Sequence, residues 1–305
     1  MASATPSQHG VPSQSASDAP SKRGFAALPP ALKLGAWIGG TLAIAAVIQL
    51  AAWVVGLDFD VLSHSGRGIL LAVALAVLMV IMAADGRPVS EYGLFVGKRW
   101  TRFWFGGFGV GVATFAIVTL VALACGAVAV NAERFTTYRA ASATMSAFTA
   151  FPIALVQQII FTGYLLSMLR DRYHRATAVV LSSLAFALLY HLGEPSRIVS
   201  ADGFALVVGM FLIALLLSLL RFRSGTILLP AGVLAGWIFA RRWFTKSTLF
   251  ASVSGSAWEP WLAPDGDIRQ APATWIALAG AIVLTARSLR RHGEGRVSTV
   301  DPAMD

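Results

Sequence analysis

Apolar residues run along this chain in eight blocks, at about 34–57, 69–84, 103–130, 143–169, 176–192, 203–220, 225–240 and 271–289, with polar stretches between them. Each block predicts a helix that crosses a membrane, because a helix closes its backbone hydrogen bonds within the segment and lipid offers no partner in exchange. A hydrocarbon core of about 30 Å takes roughly twenty residues at about 1.5 Å each. The second and seventh blocks are short by that measure, and their limits are expected to shift. The first thirty residues break the pattern. They are rich in Ser, Pro, Ala and Gln and hold no apolar core, which predicts a disordered tail over 1–30. No short apolar segment there precedes a small-residue cleavage site, so no secretory signal is expected. A transmembrane bundle is expected over 31–290 and a second tail over 291–305.

Composition turns this pattern into a class. The chain is 56% hydrophobic and 13% charged, with a mean hydropathy of +0.69. These values predict an all-α polytopic membrane protein with about eight transmembrane helices. Eight spans put both termini on one side. With the N-terminus in the cytoplasm, sixteen of the 24 Lys and Arg residues fall on that side. The asymmetry favours a multi-pass cell (inner) membrane protein with both termini cytoplasmic. The net charge of +9 then reads mostly as a topology signal, with the lipid bilayer and its anionic headgroups as partner. The single cysteine, Cys125, excludes an intramolecular disulfide and a cysteine metal cluster. No glycine-rich phosphate loop and no aromatic-basic patch points to nucleotides or nucleic acid. Residues 241–270, with Trp243, Phe244, Phe250, Trp258, Trp261, Asp265 and Asp267, are expected to form an interfacial segment.

Strongly polar groups inside apolar blocks are costly and point to function. Gln157, Gln158 and Thr162 interrupt the fourth block, and His191 and Glu194 close the fifth. Positions 158 and 162 share a helical face, and 157 points about 100° away. Gln157 stands thirteen residues before Arg170, roughly 20 Å of helix, and His191 sixteen residues after Arg175, roughly 24 Å. A short turn at 170–175 makes the two helices antiparallel neighbours, so the amides and the imidazole can meet at one depth. The same residues also suit plain interhelical hydrogen bonding, worth about 0.6–2 kcal/mol per contact.

Four stretches together resemble a known family. QQIIFTG at 157–163 has the spacing of Glu-Glu-x-x-x-Arg-Gly, and SSLAFALLYHL at 182–192 is similar to a Phe-x-x-x-His block with His191 on the histidine, although Ala187 holds the place four before it and Phe186 is displaced by one. SGTILLPAGVLAGWI at 224–238 resembles a block ending in His-Ala-Gly-Trp-Asn. There Gly225, Pro230, Ala235, Gly236 and Trp237 align. GRPVSEYGLFVGKRW at 86–100 resembles the loop that precedes the third helix. These are signatures of the CPBP intramembrane proteases, the CAAX prenyl protease-like and abortive-infection group, and the likeness covers about 85–290. It implies a CAAX-protease-like bundle of eight helices, and a transmembrane or prenylated protein as the class of partner.

The resemblance also shows what is replaced. Gln157 and Gln158 stand where the family has two glutamates, Thr162 where it has arginine, and Leu234 and Ile238 where it has the second histidine and asparagine. In the family, a glutamate is taken to activate the attacking water. A glutamine amide accepts hydrogen bonds but has negligible basicity. Base catalysis is worth about 10²–10⁴-fold, and an oxyanion donor about 10²–10³-fold. Losing Glu and Arg together avoids leaving a lone ion in lipid. Leu234 and Ile238 are expected to fill the space with apolar volume, and the amides to hold the helices by hydrogen bonds. The leading expectation is a pseudoprotease, a membrane scaffold or binding protein, with Gln157, Gln158, Thr162, His191, Leu234 and Ile238 as its vestigial site. A second reading is an active intramembrane endopeptidase with a non-standard site, using His191 with Glu194 or Asp202. A third is a small-molecule carrier, for which the chain lacks the internal repeats. No metal or cofactor is expected, since one histidine and a scattered carboxylate are too few ligands.

Overall fold

A computed structural model describes residues 28–56, 64–94, 99–189, 198–264 and 267–297. The expected tail over 1–30 lies almost wholly outside them, as do His191, Glu194, Asp265 and the last residues of the C-terminal tail.

The apolar blocks become helices. They are α1 (Pro30–Val54), α2 (His64–Ala84), α3 (Trp100–Ala124), α4 (Thr137–Phe148), α5 (Ala150–Gln158), α6 (Leu166–Arg170), α7 (Arg175–Leu189), α8 (Ala201–Ser224), α9 (Leu228–Ser247), the one-turn α10 (Glu259–Leu262) and α11 (Pro272–Val297). Counting Thr137–Arg170 as one unit, five helices of the described residues are long and apolar enough to cross a membrane, and Ile69–Ala84 and Arg175–Leu188 are shorter apolar helices. The chain is therefore an all-α polytopic membrane protein. Many large apolar side chains on α1, α3 and α11 stay exposed, among them Trp53, Leu120 and Leu284, as lipid-facing surfaces do.

Three boundaries differ from the sequence reading. The block at 143–169 is not one α-helix. Pro152 has no N–H to return to the carbonyl of Phe148, and the chain breaks at Thr149, whose hydroxyl donates to Ser146 O at 2.6 Å. After α5 it passes through a π-helical turn, Ile159–Leu165, before α6. The seventh block does not stop at 240. α9 runs on to Ser247, so Arg241, Arg242 and Lys246 are helical. The 241–270 segment is also more structured than an interfacial strap. Strand β2 (Phe250–Ser252) pairs antiparallel with β1 (Val128–Val130), Val128 opposite Ser252, and ties it to the end of α3.

Helix pairing follows small residues and buried polar groups. α3 and α9 are in backbone contact. A Cβ on Gly107 would sit 2.4 Å from Leu229 O, and one on Gly111 2.2 Å from Val233 O. Reciprocally, a Cβ on Gly232 would meet Trp104 O at 2.3 Å and one on Gly236 would meet Phe108 O at 2.3 Å. Two small-xxx-small faces thus mesh, the arrangement that lets membrane helices approach closely. Trp237 Nε1 donates to Thr114 Oγ1 across the same pair, at 2.8 Å. α4 and α5 pack on the rest of α9, α7 on α8, and α11 on α8. At the far side α1 joins α2 through a buried Lys33–Asp85 ion pair at 2.5 Å, while Tyr92 donates to Asp85 at 3.1 Å. Lys33 is therefore a packed ionic partner and not a loop charge.

Candidate functional site: a π-helical turn and the cavity beside it

Gln158, 1% exposed, is the last residue of α5. Its side-chain oxygen lies 2.9 Å from Thr162 Oγ1, and its backbone oxygen lies 2.9 Å from the same hydroxyl. The one hydroxyl proton is shared between these two acceptors. The pair closes on its own helix, so the expectation that this amide joins two helices is not met. Thr162, 2% exposed, is a neutral, fully packed partner.

The π turn loosens the backbone pattern around this pair. A π turn widens the hydrogen-bonded ring by one residue and leaves carbonyls that the α pattern would occupy differently. Neighbouring helices supply the donors. Ser182 on α7 gives its hydroxyl to Phe161 O at 2.8 Å. Arg221 on α8 donates to the carbonyl of Thr162, to Gly163 O at 3.4 Å, to Glu91 O at 3.1 Å and to Ser167 Oγ at 2.9 Å. Arg221 is 5% exposed. Its guanidinium therefore clamps the turn, α6 and the 89–92 turn together through Nη1 and Nη2, which suits its fixed fork of N–H groups. Nothing in the sequence around it distinguishes it from a cytoplasmic loop charge, and the charge count places it among those.

Two of the sequence blocks meet here. Gly93 O accepts from Ile227 N at 3.0 Å and from Thr226 Oγ1 at 3.1 Å. The stretch at 86–93 is thus docked on the turn between α8 and α9. Gly93 has φ +78°, and a Cβ there would press on Arg221 Nε at 2.9 Å, so glycine serves both the turn and the clamp. Arg87 reaches Asp171 in the α6–α7 turn at 2.5 Å. That turn is short, and it makes the Gln158 and α7 helices antiparallel neighbours as the sequence predicts. Phe161 and Phe186 pack edge to face at 5.0 Å between centroids.

Gln157 points elsewhere. It is half-buried and lines a cavity of about 100 Å³ together with Leu234 and Ile238. The structure thus gathers three of the predicted residues around one space and sets Gln158 and Thr162 in the packed wall beside it. Leu234 and Ile238 do not fill that space, contrary to expectation. They form part of its apolar lining with Ile153, Met210, Ile213 and Trp237. Asp202, the other carboxylate weighed for catalysis, is exposed in the first turn of α8, where Ser200 caps Gly203 N at 3.1 Å. His191 and Glu194 lie outside the described residues.

The cavity leads away from the Arg170 end, toward Arg241, Arg242 and Arg269. Asp267 sits among them. Arg269 donates to it from Nε at 2.9 Å and from Nη2 at 2.5 Å, and Arg241 Nη2 lies 3.4 Å away. Burial opposes ionisation of Asp267, but the hydrogen bonds and charge of Arg269, with Arg241 behind, hold its carboxyl below the usual carboxylate range. Gly209 makes this possible, because a Cβ on α8 there would meet Arg269 O at 2.0 Å. Among the described residues no three His, Cys, Asp or Glu side chains gather to hold a metal.

Residues 139–240 match the family model described as type II CAAX prenyl endopeptidase Rce1-like. No curated protein and no solved structure matches the chain.

Proposed function

Since the chain belongs, over residues 139–240, to the CAAX prenyl endopeptidase-like family of membrane proteins, we propose that it is a member that keeps the bundle and has lost the cleavage chemistry. It works as a non-proteolytic membrane scaffold or binding protein, with its termini in the cytoplasm. The observation that carries this reading is the buried Gln158–Thr162 pair. At the positions where the family's signature places a carboxylate and a guanidinium, a hydroxyl donates to the oxygen of an amide. Neither can take a proton from water at neutral pH. Gln157 offers only another amide to the cavity, and Leu234 and Ile238 offer hydrocarbon.

The test is a cleavage assay in liposomes with a fluorogenic prenylated peptide and a panel of membrane substrates. The wild type is set beside a variant carrying Gln157→Glu, Gln158→Glu, Thr162→Arg, Leu234→His and Ile238→Asn. An inert wild type and an active variant are expected. Turnover by the wild type that His191→Ala abolishes would overturn the proposal and favour an endopeptidase with another base.

A further inference from the structure

Where α6, α7 and α8 meet at one end of the bundle, arginines gather around an aromatic ring. Arg170 closes α6, Arg175 opens α7, and Phe222 lies half-buried in the last turn of α8. The guanidinium carbon of Arg175 stands 4.0 Å from the centroid of that ring and that of Arg170 5.1 Å from it. The electron-rich face of the ring attracts both cations, so three segments hold two like charges at one place. Arg172 between them in sequence and Arg223 beside the ring are exposed as well.

Carboxylates do not balance this cluster. Arg87 takes Asp171, in the same turn, at 2.5 Å, and Glu91 lies 4.0 Å from Arg87. Among the described residues no carboxylate pairs with Arg170, Arg172, Arg175 or Arg223. A topology bias accounts for arginines on this side of the bundle. It does not account for their convergence on one ring with no anion between them.

Position selects the kind of anion. Arg170 is the last residue of the candidate span Thr137–Arg170, and Phe222 and Arg223 fall in the last turn of the candidate span Ala201–Ser224. Tyr173 in the turn and Trp100 at the start of the span Trp100–Ala124 are exposed, and both are of the residue type that marks the headgroup layer. The cluster therefore stands at the level of the lipid phosphates.

We propose that this cluster is a binding site for the headgroup of an anionic phospholipid, its phosphate held by Arg170 and Arg175 at the edge of the Phe222 ring, with Arg172 and Arg223 at the rim. Arginine forks match phosphate oxygens two at a time. A zwitterionic headgroup carries the same phosphate but brings its own cation toward the arginines, so the site discriminates by net charge. The assignment goes beyond the reading of lost catalysis and does not depend on it.

Native mass spectrometry of the full chain tests this, after exchange in mixed micelles of phosphatidylglycerol and phosphatidylcholine. Phosphatidylglycerol is expected to be retained preferentially. The double variant Arg170→Gln, Arg175→Gln is expected to lower retention about tenfold, since two charge-assisted contacts go. Arg134→Gln removes an exposed arginine elsewhere and should leave retention unchanged. Phe222→Leu removes the ring that gathers the cations, keeps every arginine and should also lower retention, which keeps the test decisive if the double variant folds poorly. Equal retention of both lipids, an equal loss with Arg134→Gln, or retention that neither cluster variant alters would overturn the assignment. Displacement of the lipid by millimolar inorganic phosphate would overturn it in favour of a site for free oxyanions, and displacement by a polyglutamate peptide in favour of an acidic protein partner.

Discussion

A glutamine and a threonine that bond to each other inside a helix set a measurable condition on any acid placed there. Gln158→Glu puts a carboxyl at a site that is 1% exposed, where burial disfavours the ionised form. A group whose acidic form is favoured by folding costs least at low pH and most once the solvent would ionise it. The thermal stability of this variant in detergent is therefore expected to fall further below wild type at pH 8 than at pH 5. Adding Thr162→Arg should recover part of the loss at pH 8. Asp267 has the opposite sign. Its carboxyl is held below the ordinary range by Arg269 and Arg241, so its contribution is present above about pH 4 and is lost as pH falls through the lower folded value. Melting curves should show the wild type losing stability as pH falls below about 4, with Asp267→Asn already destabilised at pH 7 and flatter below. The two amides and the threonine could be singled out in the sequence because they interrupt an apolar block. Lys33, Arg221 and Arg269 could not. A cation near a helix end looks the same whether it faces water or a carbonyl, and only the packing of another element over it shows which.

At the scale of elements, the π turn and its clamp form one unit. Arg221→Ala takes a donor from the buried carbonyls of Thr162 and Gly163, while Ser167 Oγ still donates to Glu91 O at 3.3 Å. Each buried orphan costs about 1–3 kcal/mol. The expected result is a chain that melts well below wild type. Arg221→Lys should recover only part, because one ammonium cannot reproduce the fork. The glycine faces of α3 and α9 predict a different failure. Gly111→Leu or Gly236→Leu forces the helices apart, since even a Cβ at either position would fall 2.2–2.3 Å from a backbone oxygen of the facing helix. Loss of folded protein on size-exclusion chromatography is expected, whereas Gly109→Leu, where a Cβ meets nothing within 4 Å, should be tolerated. The existence of the helices was legible in the chain, whereas the meshing of the α3 and α9 glycine faces was seen only in the packing. The breaks were not legible either. The hydropathy of 143–169 is continuous across Thr149 and the π turn, and the end of α9 was hidden because Arg241, Arg242 and Lys246 resemble a loop until Asp267 and Ser146 are seen to meet two of them.

For the whole molecule, apolar periodicity was sufficient for the class and nearly for the order of helices, since each block becomes a helix or a broken helix in its expected place. It could not give the arrangement of those units, nor that the space near Gln157 leads to the Arg241 end and away from the Arg170 end. The proposed orientation, with both termini in the cytoplasm, predicts that single cysteines in a Cys125→Ala background label from outside at Ser256 and from inside at Arg172. The reverse pattern would invert the bundle. The contact of α3 with α9 carries a mechanical consequence. Two helices that touch through their main chains cannot slide or roll past one another by repacking rotamers, so they behave as a single strut. That strut bears Leu234, Trp237, Ile238, Arg241 and Arg242, and so one wall of the cavity is immobile. Any widening of that space must come from the helices that face the strut across it, α5 with Ile153 and Gln157 and α8 with Met210 and Ile213.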